Sequence, residues 1–153
     1  MRALSIRQPY AELILRGIKR IEYRSRATQL VGERFWIYAS KGKSQLKIAN
    51  PPTRVVGDNI EPPGKALPPW MIELANGLQM FPHELPTGVI VGSAVIEKCV
   101  RCESAAIDDP MSVFYEWHLA HVERARQVRK PAGHPQPVWF IPFPGIGASS
   151  KRS

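Results

Sequence analysis

Gly17-Ile18-Lys19-Arg20-Ile21-Glu22-Tyr23-Arg24 sets three charged side chains, Lys19, Glu22 and Arg24, among the apolar Ile18, Ile21 and Tyr23. The mixture suits neither a core strand nor a solvated charge run. Upstream, Gln8 to Gly17 carries the punctuation of a short helix: Pro9 in the first turn, Arg16 in the last turn and Gly17 at the left-handed cap. Lys19 then leaves the helix exit. With a strand beginning near Ile21, the period of two puts Glu22 and Arg24 on one face and Ile21 and Tyr23 on the other, while Lys19 approaches from the turn. An ammonium and a guanidinium held by one carboxylate present fixed donors, which suits a phosphate, a nucleobase edge or a developing oxyanion. As an ordinary surface ion pair the same triplet would contribute little.

Outward from this stretch the chain reads as strands scattered around short helices. Strands are expected near residues 2–6, 20–25, 34–40, 88–98 and 137–142. In the third of these, Phe35, Ile37 and Ala39 alternate with Trp36, Tyr38 and Ser40, so both faces carry bulky groups and the strand should be buried. Its polar end, Ser40, Lys41 and Lys43, reaches the neighbourhood of Lys19 if the two strands pair, as short connections favour. Residues 50–69 are rich in proline and read as a loop insertion. Trp70 to Gln79 reads as a helix. In the strongest strand Val89, Val91 and Val95 alternate with Ile90, Ala94 and Ile96, and Gly92 implies a bulge or a close backbone approach. Asp109 or Ser112 is placed to cap a second helix running to about Val122, followed by the basic residues Arg124, Arg126, Arg129 and Lys130. Pro142 puts the closing strand at an edge or ends it, and residues 144–153 read as a disordered tail after a single domain over 1–143. The sum is an α+β fold with a barrel-like sheet rather than a doubly wound one.

The charge balance narrows the partners. Against 13 Asp and Glu stand 21 Lys and Arg, a net charge of +8 in 153 residues, which favours polyanions. No run approaches the roughly 18 apolar residues of a membrane span, and the start lacks the apolar stretch of a signal peptide, so a cytoplasmic location is expected. Cys99 and Cys102 with His118 and His121 invite a zinc reading, but the histidines are closer than the usual pair and Cys99 falls in or at the end of a strand; no metal is expected. Walker, dinucleotide and G-x-S-x-G loops are all missing from the sequence. Tyr10, Trp36, Tyr38 and Trp117 are the aromatics that could stack on bases, though each position also suits the core.

Gly17-x-Lys19-x-x-Glu22-x-Arg24 matches the G-x-K-x-x-E-x-R signature of the ASCH domain, and Leu4-Ser5-Ile6-Arg7-Gln8-Pro9-Tyr10 resembles the opening that precedes it in that family. Trp36–Lys41, Val89–Ile96 and Trp117–Leu119 extend the resemblance over most of the chain. It implies a PUA-like mixed β-barrel with short peripheral helices, no cofactor, and a cleft that binds RNA or a modified nucleobase or nucleoside. Carried onto this chain, the ligand-binding residues are Arg7, Gln8, Lys19, Glu22, Arg24, Ser40 and Lys41. The family also implies alternatives. Some members are described as ribonucleases, and some hydrolyse the amide of N4-acetylcytidine with a lysine and a threonine nucleophile three residues later. Here Lys19 and Glu22 would be the catalytic pair, and Glu22 stands where that nucleophile would be. A protein-interaction adaptor is a third implied role.

Overall fold

A computed structural model describes residues 1–41, 73–74, 76–80, 84–103 and 113–145. The 50–69 insertion, the start of the helix expected at Trp70, Lys43 and the tail beyond Gly145 lie outside the described residues. Of the Trp70–Gln79 helix, Glu73, Leu74, Asn76 and Gly77 are helical, and the Leu78 N–H donates to the Leu74 carbonyl at 3.0 Å.

The chain runs β1 (Ala3–Ile6), α1 (Tyr10–Leu15), β2 (Ile21–Arg24), β3 (Arg34–Ala39), β4 (Val89–Glu103), β5 (Val113–Arg129) and β6 (Trp139–Phe140). At six residues α1 is too short to stand alone, so its ends and one buried face must hold it. Pro9 offers no capping side chain; instead the side-chain Oε1 of Gln8 accepts the Glu12 N–H at 3.0 Å. At the other end Gly17 takes a φ of +73°, and the N–H groups of Ile18 and Lys19 both donate to the Leu13 carbonyl. Ala11, Leu13 and Ile14 are buried.

The six strands form one mixed sheet in the order β2-β5-β4-β3-β1-β6, with β1 and β3 parallel and the other ladders antiparallel. Among the described residues it is not a closed barrel: β2 and β6 are its edges. The sheet nevertheless curls, because Trp117 of β5 stacks on Trp139 of β6 with ring centroids 5.7 Å apart. Its inner face carries Leu4, Ile6, Phe35, Ile37, Ala39, Ala94, Ile96, Trp117 and Leu119; its outer face carries a second cluster of Ala3, Tyr38, Ile90 and Phe140. Phe35 and Ile37 on one side and Tyr38 on the other bury both faces of β3, at roughly 1.5–3 kcal/mol for each large side chain.

Two expectations are corrected. The helix ending at Val122 does not exist: Val113 to Arg129 is a strand that pairs along β4 from Glu103 to Ile90. Tyr115, Trp117 and Leu119 also fit a period of two, and the long β4 offers them a ladder and a buried face, which decides between the two periods. The charged strand β2 pairs with β5, not with β3. Gly92 shows both features its sequence position implied. The β4 register shifts beside it, and an added Cβ would collide with the Glu123 carbonyl oxygen and with Leu15 Cδ2.

Candidate functional site

Curling brings β2 opposite β1 without joining them by a ladder. A hydrogen bond of 3.0 Å donated by Arg24 Nη2 to the Ser5 carbonyl spans the gap. The seam opens into a cleft of about 760 Å³. Its walls are Ser5, Ile6 and Arg7 at the end of β1, Glu22 to Ser25 of β2, Tyr38, Ser40 and Lys41 at the end of β3, and the segment His134–Pro137, with Tyr10 from α1. The parallel β1–β3 pair delivers Arg7, Ser40 and Lys41 to one place, since parallel neighbours end on the same side. This route replaces the β2–β3 pairing expected from the sequence.

Glu22 is the hub. Its Oε2 lies 3.3 Å from Lys19 Nζ and its Oε1 lies 3.1 Å from Arg24 Nη2, and the residue is 9% exposed. Ion pairs at this depth are less screened than surface pairs, and each carboxylate oxygen is oriented by a cation. The two cations differ in what else they do. Lys19 donates to the Ile21 carbonyl at 2.6 Å and lies 5.4 Å from both the Tyr10 and the Tyr23 ring centroids, so its ammonium is taken up by groups of the cleft wall while Lys19 itself does not line the cleft. Arg24 lies over Trp117 with its Cζ 5.7 Å from the ring and borders the cleft.

The structure therefore brings Arg7, Glu22, Arg24, Ser40 and Lys41 to the cleft, with Lys19 directly behind it. Gln8 is placed elsewhere: it is buried, caps α1 and donates to the Pro86 carbonyl at 3.1 Å. Of the aromatics considered for stacking, Tyr10 and Tyr38 line the cleft, while Trp117 is core. Burial raises the pKa of Tyr38, which keeps its hydroxyl protonated as a donor. The residues that the sequence did not single out are Ser5, Tyr23, Ser25 and His134–Pro137. Only the prolines at 135 and 137 hinted at the last of these, because they bias the chain to an extended run along the wall.

The cysteines and histidines do not converge. Cys99 and Cys102 are opposite Trp117 and Phe114 in the ladder, His118 bonds to Glu116 at 2.9 Å, and among the described residues no cluster of three or more potential ligands could hold a metal. No helix of the described residues is long and apolar enough to cross a membrane.

The sequence matches the ASCH domain over residues 4–130, and the chain belongs to that family. It is similar to solved structures of ASCH from Zymomonas mobilis. The unmutated form is 14% identical, with 80% of this chain and 68% of that one covered and a TM-score of 0.44. A mutant form is 13% identical, with 84% and 74% covered and a TM-score of 0.47. No curated protein matches the sequence.

Proposed function

We propose that the seam cleft binds RNA or a modified nucleobase or nucleoside, with Glu22 as its selective group. The observation that carries this reading is a carboxylate fixed on both oxygens in the wall of a cleft that also holds Arg7, Arg24, Lys41 and tyrosine rings. A carboxylate so held can accept from a base amino or imino group without reorganising. Arg24, Arg7 and Lys41 supply donors for phosphate or carbonyl oxygens, and Tyr10 supplies a ring against which a base can lie. Binding is favoured over catalysis by Lys19, whose ammonium is already engaged by a carbonyl, a carboxylate and two rings.

The test is a titration of single-stranded RNA, duplex RNA and modified nucleosides at two salt concentrations, with the wild-type chain and Arg24→Ala. Strand binding should weaken with salt as counterions are released, and Arg24→Ala should cost about tenfold for the preferred ligand. Equal affinities for wild type and variant, or no binding by any of these ligands, would overturn the reading.

A further inference from the structure

Outside the cleft, the sharpest cluster of cationic and aromatic groups lies at the end of β5. Arg129 is exposed, and its guanidinium carbon lies 4.3 Å from the centroid of Phe143 and 5.6 Å from that of Trp36. The two rings meet edge to face at 6.3 Å, and both are half-buried. A guanidinium laid over a ring at 4.3 Å is a flat, cationic shelf whose free side faces solvent. Exposed Arg126 and Lys130 flank it in sequence.

This shelf connects to the cleft in two ways. Tyr38, which lines the cleft, is the ladder partner of Ile90, and Ile90 is the partner of Arg129, so the three stand in one row across β3, β4 and β5. Two strand spacings separate Tyr38 from Arg129, about 10 Å between backbones. Lys41, also in the cleft wall, lies against Gly88 just before β4, where an added Cβ would fall 2.7 Å from Lys41 Cε. Gly88 is held there by its N–H to the Ala39 carbonyl, two residues before Lys41. Arg129 thus shares one face of the sheet with the buried Tyr38 of the cleft wall, and with Lys41 at the cleft end and the exposed Arg126 and Lys130 close by in the chain it outlines a cationic track leading from the cleft.

We propose that this track is a second contact for single-stranded RNA: Arg129, backed by Phe143 and Trp36, stacks on a base flanking the nucleotide in the cleft, and Arg126, Lys130 and Lys41 meet the phosphates. The inference rests on the cleft being a nucleic-acid site, and it specifies the ligand as a strand rather than a free nucleoside. A guanidinium plane is a sequence-tolerant platform for a base, so the cleft selects and the track lengthens the contact. An ordinary solvated basic strand end would lack the ordered stack and the row shared with Tyr38.

The experiment compares a short oligoribonucleotide, a nucleoside and polyglutamate on the wild-type chain, Arg129→Ala, Arg129→Lys and Arg24→Ala, with a thermal melt of each. Arg129→Ala should weaken the oligonucleotide about tenfold and leave the nucleoside unchanged, and Arg129→Lys should recover little of the loss because it restores charge without the plane. Oligonucleotide affinity unchanged in Arg129→Ala, or equal losses for RNA and polyglutamate, overturns the track. If the oligonucleotide loses affinity with Arg24→Ala and not with Arg129→Ala, the track falls and the cleft stands. If no oligonucleotide binds the wild-type chain, the track falls; if the nucleoside does not bind either, the cleft reading falls with it.

Discussion

Lys19 is held by the groups around the cleft and is absent from its lining. Its ammonium has a carbonyl, a carboxylate and two aromatic rings as partners, which makes it a positioning group for Glu22. Lys19→Ala should therefore lower stability, by roughly 1–3 kcal/mol for a charge-assisted contact left unmade on a buried carboxylate. Lys41→Ala should do the opposite: the exposed side chain can be removed with the melting temperature almost unchanged, while RNA affinity falls. Melts and titrations of the two variants side by side check this, and a destabilised Lys41→Ala beside an unaffected Lys19→Ala would reverse the assignment. The grouping of Lys19, Glu22 and Arg24 was legible in the sequence because it is local: one glycine exit and one strand period determine it. The role of Gln8 was not, because a glutamine that caps a helix and one that lines a mouth occupy the same place in the chain. Only the distant Pro86 carbonyl distinguishes them.

At the level of elements, α1 is fastened to β5 by an ion pair between groups far apart in sequence. Arg124 donates two hydrogen bonds to the Glu12 carboxylate, at 2.7 and 3.0 Å, and Arg16 adds a third at 3.0 Å. Burial alone would raise the pKa of Glu12, but the hydrogen bonds from Arg124 and Arg16 outweigh it and hold the carboxyl below its ordinary value. A depressed carboxylate stabilises the fold above its unfolded pKa and loses that contribution as pH falls through the folded one. Wild type should therefore exceed Glu12→Gln by about 2 kcal/mol near neutrality, with the gap narrowing below about pH 4. Denaturant titrations at several pH values measure it, and a gap independent of pH would show that the pair is electrostatically idle. The same strand marks the limit of local reading. Phe114, Trp117 and Val122 fit a helical stripe as well as Tyr115, Trp117 and Leu119 fit an alternating one, and the choice is made by β4, which no window around β5 contains. Arg124, read only as part of a basic segment, is a structural clamp for the same reason.

Over the whole molecule, the strand positions that alternate in sequence all joined one sheet, whereas the order of strands and the failure to close depend on pairings between distant residues. That failure is also what makes room for the cleft. In a fully laddered sheet β2 would bond to a neighbour along its free side; here no ladder among the described residues closes the gap, and Arg24 bonds across it to Ser5, beside a segment that lies along β1 through the Ser5 N–H to the Val138 carbonyl. Edges tied so sparsely open more readily than central strands. A ligand seated in the seam would therefore act as a latch. Amide hydrogens of β2 and of Trp139 and Phe140 should exchange with deuterium more slowly when RNA is bound, while the already protected centre of β3 and β4 should change little. Uniform slowing across all strands would mean that the ligand raises only global stability. With the latch open, the protein's own fluctuations would be concentrated along the line where its ligand enters.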